Sequence, residues 1–470
     1  MRRLGLLAVL GLAACSANHG TGIRLDSPRV EAFLDTVQGR TFDWFWDLTP
    51  PANGLTPDRW PTESFSSIAA VGFALTAYPV GVERGWITRA QAAERALATL
   101  RFFWNAPQDS TATGVTGYKG FFYHFLDPGT GHRFQRVELS TIDTTLLLAG
   151  ILFCQSYFDG ADSIESEIRD LADSIYRRVD WPWAQARPPA VSMGWHPESG
   201  FIGADWIGYN EAMILYFLAL GSPTHPVEPA AWDAWVAGYK WGSWYDRPHV
   251  GFGPLFGHQY SHVWSDFRGI QDAYMRARGI DYFENSRRAT YVQREYAKAN
   301  PGGWRAYSDS IWGLTAGDGP ANVTLQLDGR SRQFRTYWAR GASFTGVTDD
   351  GTIAPTAVGG SVPFAPEITI PALLAMRHTY GEHLFSRYGF LDGFNPTFTA
   401  VGRQQTGTVD PARGWFDGDY LGIDQGPILL MIENYRTGFI WEVMRKNPHI
   451  VRGMRAAGFT GGWLDQAPSD

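Results

Sequence analysis

The sequence predicts an all-α fold, a double ring of about twelve helices with long loops and a β-hairpin at a cleft. Helical hydrophobic patterns recur from residue 28 to the end of the chain. The segments between them are long and rich in Gly and Pro, which favours loops that serve a site. Aromatic residues are abundant, with 20 Trp, 20 Tyr and 29 Phe. Because an indole offers a flat apolar face and one N–H donor, this surplus indicates a binding surface, with a Trp-rich core as the alternative.

The first residues predict a targeting segment. Arg2-Arg3 precede an apolar run from Leu4 to Leu12 that is too short to span a bilayer. Residues 12–15 read Leu-Ala-Ala-Cys, which resembles a bacterial lipobox. The resemblance implies cleavage before Cys15, lipidation of Cys15, and a chain exported to the periplasm or outer membrane and held there by its lipid alone. An ordinary secretory signal is the alternative.

We expect one helical domain over residues 28–465, preceded by a signal peptide (1–14) and a lipidated tether (15–27). Ser27-Pro28 supplies an N-cap and a first-turn proline, and Thr88 with Gln91 forms a capping box. Residues 120–137 predict a hairpin that turns at 127–131. The predicted helices cover 28–47, 63–84, 88–105, 139–158, 162–179, 206–220, 228–240, 266–278, 281–299, 366–388, 425–436 and 439–456.

The charge pattern excludes one class of partner. The formal net charge is −7, and no run of Lys or Arg forms a basic stripe, so nucleic acid is not an expected ligand. The negative net charge is consistent with carboxylates that bind a neutral ligand, and equally with a surface that only keeps the protein in solution. Cys154 lies in an apolar run and is expected in the core. We expect a monomer without cofactors.

Four segments place polar groups where packing alone does not explain them. Asp143 lies inside an almost wholly apolar helix, so it must be paired or line a wet cavity. Glu138 can lie on the same side of the helix as Asp143 only if Glu138 precedes the regular helix. The alternative role for Asp143 is a salt bridge to an arginine, and the alternative for Glu138 is a contact with the helix dipole. Glu211 stands at the start of a very apolar helix beside Tyr209 and Asn210, where aromatic rings disfavour its charged form.

The third and fourth segments lie further along the chain. Asp424 precedes an apolar run that also contains Glu433, and it is either an N-cap or a reactive acid. His258 and His262 have the spacing of a zinc pair, but Gln259 stands where such sites have Glu, so we predict no metal there. A polar surface that includes Trp264 suits sugar hydroxyls better.

Other catalytic chemistries lack their motifs. The chain has no Gly-x-Ser-x-Gly elbow, no phosphate-binding loop and no Cys-x-x-Cys pair. Carboxylates, aromatic rings and amides remain, and glycoside hydrolysis needs one acid for the leaving oxygen and one carboxylate for water or nucleophile.

Several motifs in order resemble the glucoamylase-like domain family, which includes the endo-β-1,2-glucanases of glycoside hydrolase family 144. The resemblance covers roughly residues 30–460. It implies an (α/α)6 toroid that hydrolyses β-1,2-glucan or its oligosaccharides with inversion of configuration. The motifs that carry it are Gly54–Arg59, Phe65–Phe73, the hairpin at 120–137, Ser140–Thr144, Gly208–Glu211 and Gly422–Pro427.

Carried over by motif position, the resemblance implies that Glu211 is the general acid and that Asp424 or Asp143 is the base. Further residues are expected to bind substrate. The open alternatives are an exo-acting sophorose-releasing or other β-glucan hydrolase, a polysaccharide lyase, and a non-catalytic glycan-binding lipoprotein. The predicted binding residues are Glu138, Tyr209, Asn210, Tyr123, His258, Gln259, Trp264 and Glu433.

Overall fold

The computed structural model describes residues 24–468. The predicted signal peptide and Cys15 lie outside the described residues. Within that range the chain forms 15 α-helices. They are α1 (Pro28–Leu48), α2 (Ile68–Glu83), α3 (Arg89–Asn105), α4 (Thr141–Tyr157), α5 (Ser163–Arg177), α6 (Met213–Leu220), α7 (Ala230–Ala237), α8 (Tyr260–Trp264), α9 (Ala273–Arg278), α10 (Tyr282–Ala299), α11 (Pro355–Gly359), α12 (Pro366–Tyr380), α13 (Gly422–Arg436), α14 (Phe439–Met444) and α15 (Pro448–Ala456).

Short strands connect the helices. They are β1 (Arg59–Trp60), β2 (Ser66–Ser67), β3 (Gly117–Tyr118), β4 (Phe121–Tyr123), β5 (Phe125–Leu126), β6 (Leu139–Ser140), β7 (Gly194–His196), β8 (Gly200–Phe201), β9 (Trp241–Trp244), β10 (Arg247–Val250), β11 (Ala316–Gly317), β12 (Val323–Leu327), β13 (Arg330–Phe334), β14 (Trp338–Ala339), β15 (Gly341–Ser343), β16 (Gly346–Thr348), β17 (Phe385–Ser386), β18 (Gly389–Phe390), β19 (Phe394–Asn395), β20 (Thr408–Asp410), β21 (Gly414–Phe416) and β22 (Tyr420–Leu421).

The core is built on helices that are buried around almost their whole circumference. These are α2, α4, α6 and α13, whose sequences are apolar on nearly every face. Helix α2 packs between α4 and α13, while α1 packs on α13 and α5 packs on α3 and α4. Helices α5 and α15 are amphipathic, with a buried stripe and an exposed face. No described helix has the length and hydrophobicity required to cross a bilayer.

The predicted helical character is confirmed, but several boundaries differ for identifiable reasons. The segment predicted at 206–220 becomes helical only at Met213, because Gly208 takes a positive φ of 84° in a turn. The segment at 439–456 is two helices, because the side chain of Asn447 caps a new start at Pro448. The caps predicted at Ser27 and at Thr88 with Gln91 are present.

The predicted hairpin at 120–137 is present with its turn at 127–131, but its strands belong to larger sheets. Strand β4 pairs with β3 and β6 inside a sheet ordered β3-β4-β6-β7-β8, and β5 pairs with β2. Nearer the turn the two arms are joined by the bridge between Leu126 and Arg133, and the N–H of Phe134 donates to the carbonyl oxygen of Phe125 at 3.0 Å. Strand β6 of this sheet runs directly into α4, so the sheet fixes the N-terminal end of that helix.

Helices α2 and α4 approach so closely that only glycine fits at their crossing. A Cβ atom on Gly72 would lie 2.2 Å from the carbonyl oxygen of Leu146. A Cβ atom on Gly150 would lie 2.2 Å from the carbonyl oxygen of Gly72. Backbone atoms cannot move aside as side chains can, so the crossing is a rigid contact.

A buried ion pair anchors the loop that contains Asp318. Arg340 is 2% exposed and bonds both oxygens of Asp350, at 2.7 and 2.9 Å. Its Nη1 also donates to the carbonyl oxygen of Gly317, at 2.9 Å. Arginine therefore satisfies both a carboxylate and the backbone of β11.

We expect Arg340→Met to lower the free energy of unfolding by about 3–5 kcal/mol, because it leaves Asp350 buried without its partner. Denaturant titration followed by circular dichroism measures this loss. Arg403→Met, at an exposed position, is the matched control and should leave the transition unchanged. Equal stability of the two variants would contradict the role of the pair.

Candidate active site

A cavity of about 190 Å³ lies at the ends of α4, α6 and α13. Two of its lining side chains are carboxyl groups, Asp143 and Glu211, and the others are mainly aromatic or aliphatic. The combination is that of a polar reaction centre with apolar walls. The full lining is His124, Ile142, Asp143, Leu146, Glu211, Phe256, Tyr260, Ala316, Tyr337 and Ile423.

Asp143 lies in the first turn of α4, where the helix leaves the sheet. Ser140 is the N-cap residue, and its hydroxyl donates to Asp143 Oδ2 at 2.5 Å. The side chain of Asp143 is 6% exposed. The sequence argument required this carboxylate either to be paired or to line a cavity, and it does both.

His124 joins Asp143 to Glu138. Its Nδ1 lies 2.8 Å from Glu138 Oε1, and its Nε2 lies 3.5 Å from Asp143 Oδ2. Burial alone would lower the pKa of His124, but the charge of Asp143 and the bond to Glu138 raise that pKa to about 9. Burial opposes ionisation of Glu138 as well, yet its bond to His124 brings the pKa of this carboxyl below its usual value. His124 is therefore an imidazolium at neutral pH, between two acids.

Glu211 immediately precedes α6, and its backbone is held firmly. Ser261 Oγ donates to the carbonyl oxygen of Glu211 at 2.8 Å and accepts from the N–H of Ile214 at 3.1 Å. Burial, and after it the charge of Asp143, raises the pKa of Glu211 to about 7. Among residues 24–468 no basic side chain forms an ion pair with this carboxyl group. Glu211 is thus an acid that still holds its proton near neutral pH.

Asp424 belongs to a second, deeper group of acids. It lies in the first turn of α13, is 2% exposed, and does not line the cavity, although its neighbour Ile423 does. Burial raises the pKa of Asp424 well above its usual value, and the charge of Asp392 and a hydrogen bond with it raise that pKa further. These two carboxyl groups therefore lie close enough for each to act on the pKa of the other. The N-cap residue of α13 is Leu421, so the N-cap alternative for Asp424 is wrong.

Tyr260 lies between the two groups of acids. It lines the cavity, and its pKa is raised well above the ordinary value by burial and by the charges of Asp424 and Glu211. The charge of Asp143 acts on it in the same direction. All three predicted catalytic acids therefore act on the pKa of this one phenol, and two of them share its cavity.

Arg59 supplies positive charge to the deeper group. Its guanidinium donates to Asp318 Oδ2 at 2.7 Å and to Asp58 Oδ2 at 3.2 Å. Asp419 Oδ2 lies 3.8 Å away. The strand pairing of Arg59 with Leu421 brings this segment beside α13.

Three predicted binding residues belong to packing instead of the cavity wall. Tyr209 is 5% exposed and packs with its ring centroid 4.8 Å from that of His258, which is fully buried. The amide oxygen of Asn210 accepts from the backbone N–H of Ala212, so this side chain shapes the turn before α6. The prediction that these three side chains contact a ligand is therefore corrected, because they pack behind the cavity wall and support it.

Four other predicted binding residues are likewise corrected, because their side chains are buried inside the protein. Gln259 donates to Ala357 and Ser361, and Trp264 donates to Thr76 while stacking on Phe73. Both are buried because the short helix α8 packs against α13 and α14.

Glu433 and Tyr123 complete these corrections. Glu433 accepts from Gln38 at 2.9 Å and from Arg84 at 2.7 Å, and is 1% exposed. Tyr123 is fully buried beneath the guanidinium of Arg133. Glu138 reaches the cavity wall by its hydrogen bond with His124.

Comparisons with known proteins identify the family of the chain. The model of the protein family described as "Putative glucoamylase" matches residues 203–448, just over half of the chain. A crystal structure titled as a "putative glucoamylase" from Bacteroides uniformis is 31% identical, with a TM-score of 0.79 over 93% of this chain and 98% of that one. The chain belongs to this glucoamylase-like family. The family resemblance predicted from the motifs is thereby confirmed.

Two further members of the glucoamylase-like family have more specific names. An endo-β-1,2-glucanase from Chitinophaga pinensis is 26% identical, with a TM-score of 0.77 over 92% of this chain and 99% of that one. A curated exo β-1,2-glucooligosaccharide sophorohydrolase (non-reducing end) from Parabacteroides distasonis is 28% identical over 90% of this chain. The chain spans 57% of the length of that curated relative.

Proposed function

We propose that the protein is a glycoside hydrolase that cleaves β-1,2-glucan or its oligosaccharides with inversion of configuration. The observation that carries the proposal is Glu211, a carboxyl group without an ion pair among the described residues, with a pKa of about 7, on a cavity that also exposes Asp143. A general acid must hold its proton at the working pH and still release it to a leaving oxygen. The names of the relatives from Chitinophaga and Parabacteroides supply the substrate class.

In this proposal Glu211 protonates the leaving oxygen, and a second carboxylate removes a proton from the attacking water. Inverting pairs stand about 6.5–9.5 Å apart to leave room for that water. Asp424 holds the motif position of the base, and the charge of Asp392 acts on its pKa. Asp143 is the alternative base, and it lines the cavity directly.

Asparagine substitutions separate the two candidate bases. We expect Asp424→Asn to lower kcat by about 10²–10⁴-fold, as loss of a general base does. Asp143→Asn should then act mainly on KM. Azide, a small external nucleophile, should restore turnover only in the variant that lacks the base, with the anomeric product inverted. Rescue of Asp143→Asn instead would assign the base to Asp143.

His124→Gln should move the pH dependence of the reaction. The variant removes a positive charge 3.5 Å from Asp143, so Glu211 feels more of that negative charge and its pKa rises. The alkaline limb of kcat/KM should shift above pH 7, with a lower maximum. His225→Gln, at an exposed position, is the matched control. An unchanged limb would show that His124 does not act on Glu211.

Endo action is the primary proposal, because the Chitinophaga endo-glucanase is matched over 99% of its length. Exo action that releases sophorose is the second candidate, favoured by the name of the Parabacteroides relative. A time course on β-1,2-glucan distinguishes them, since an endo enzyme gives mixed oligosaccharides first and an exo enzyme gives one product size throughout. Absence of new reducing ends would leave a glycan-binding protein, and an ultraviolet-absorbing product would indicate a lyase.

The proposal extends to architecture and location. Buried helices flanked by amphipathic ones support an (α/α)6 toroid around the cavity. Export and a lipid anchor on Cys15 would place a monomeric enzyme at the periplasm or outer membrane. Cys15→Ser should release the protein from the membrane fraction, and retention there would refute the anchor.

A further inference from the structure

Three aspartates from distant parts of the sequence converge behind the cavity. Asp318 follows β11, Asp392 lies between β18 and β19, and Asp417 follows β21. Each is adjacent to a glycine, so the three backbones can approach closely. None of the three is more than 5% exposed. One carboxylate oxygen from each lies within 4.8 Å of the others.

The hydrogen bonds of these aspartates leave two oxygens facing other acids. Asp392 Oδ2 accepts from the N–H of Asp318 at 2.6 Å, and Asp417 Oδ1 accepts from the N–H of Gly418 at 2.8 Å. Asp392 Oδ1 and Asp417 Oδ2 are buried, and no N–H or hydroxyl donor of residues 24–468 reaches them. Other carboxyl groups are close to both side chains, with Asp424 beside Asp392 and Asp318 beside Asp417.

One of the three aspartates, Asp318, is paired with an arginine. Arg59 contacts Asp318 at 2.7 Å and Asp58 at 3.2 Å. Neither Asp392 nor Asp417 forms an ion pair within the described chain. Burial raises the pKa of all three clustered acids, and the charge of Asp318 raises the pKa of Asp392 and of Asp417 further. Buried carboxylates of this kind are stable only when paired, protonated or bound to a metal.

We propose that Asp318, Asp392 and Asp417 bind one Ca²⁺ ion. Carboxylate oxygens are the ligands that Ca²⁺ prefers, at about 2.3–2.6 Å. Oxygens within 4.8 Å of one another can all reach one ion at such a distance. A dication would neutralise the repulsion and fix the three loops relative to α13. A sugar is not the ligand at this point, because Asp392 and Asp417 do not line the cavity.

Calorimetric titration of chelator-treated protein with CaCl₂ at pH 7.5 tests the proposal. We expect one ion per chain, and a Tm that Ca²⁺ raises by roughly 2 °C or more over EDTA-treated protein. Mg²⁺ should bind more weakly, because it demands a smaller octahedral shell. Absence of both heat and Tm change would overturn the proposal, since the acids would then hold protons.

Variants locate the ion. Asp417→Asn and Asp392→Asn should each lower Ca²⁺ affinity at least tenfold, while Asp309→Asn, at an exposed carboxylate, should bind as the parent protein does. If one variant does not fold, the other still reports the affinity. Unchanged affinity in a folded cluster variant would place the ion elsewhere and refute this site.

The binding test does not depend on the proposed glucan hydrolysis. Glu211→Gln should bind Ca²⁺ with the parent affinity even when it no longer turns over. A protein that binds Ca²⁺ without cleaving any glucan would refute the proposed function and leave the ion site intact. A protein that cleaves β-1,2-glucan but does not bind Ca²⁺ would refute the ion site and leave the proposed function intact.

Discussion

Glu211→Gln should lower kcat on β-1,2-glucan by about 10²–10⁴-fold, the contribution of a positioned general acid. Glutamine keeps the shape and the neutral charge of the protonated acid but has no acidic proton to give. Reducing-end assays on purified enzyme measure the loss. KM should change little, because the substituted group remains hydrogen-bonding and uncharged.

The pH dependence provides the companion measurement for Glu211. Since the acid must be protonated, kcat/KM of the parent enzyme should fall as pH rises through about 7. Glu382→Gln, at an exposed position, should leave both the rate and this limb unchanged. A Glu211→Gln variant that retains parental turnover and Tm would refute the assignment of the acid.

Gly72→Val should be the most damaging single change to the fold. Its side chain would meet the carbonyl oxygen of Leu146 at the crossing of α2 and α4, where backbone faces backbone. Overpacking commonly costs about 1–3 kcal/mol, and a contact that only backbone movement can relieve should cost at least that upper value. We expect a lower yield of folded protein and a Tm reduced by several degrees.

A matched substitution isolates this steric effect. Gly203→Val adds the same side chain at an exposed glycine without a positive φ, where an added Cβ atom would meet no heavy atom within 4 Å. It should express and unfold as the parent protein does. Equal thermal stability of the two variants would show that the crossing can relax.

Local sequence signals predicted the elements well where the cause is local. Capping at Ser27 and Thr88 involves residues within one turn, so the helix starts could be predicted from residue type alone. The burial of Cys154 follows from the apolar run around it. The break before Pro448 also has a local cause, Asn447, which the continuous hydrophobic pattern of 439–456 concealed.

The site was only partly predictable because much of it depends on contacts between distant segments. Asp143 and Glu211 could be predicted, since a carboxylate in an apolar helix requires an explanation. His124 was missed, because its pairing with Glu138 and Asp143 needs the register of β4 against β6. Gln259 was wrongly assigned to the cleft, because its polarity suggested exposure while the packing of α8 buries it.

The acidic cluster shows the same limit. Asp318, Asp392 and Asp417 are ordinary loop aspartates beside glycines in the sequence, and such residues usually form turns. Their burial in one place follows from strand pairings such as β19 with β21. A signal that could have indicated them is the recurrence of Asp-Gly in segments that are otherwise rich in buried aromatic residues.

The pairing of β1 with β22 joins an early segment of the chain to a late one. Arg59 lies opposite Leu421, and α1 packs on α13 beside this contact. In the proposed enzyme the segment that carries Asp424 is therefore held in place by residues near the start of the domain. A protease cut that releases either terminal segment should abolish hydrolysis in a single step.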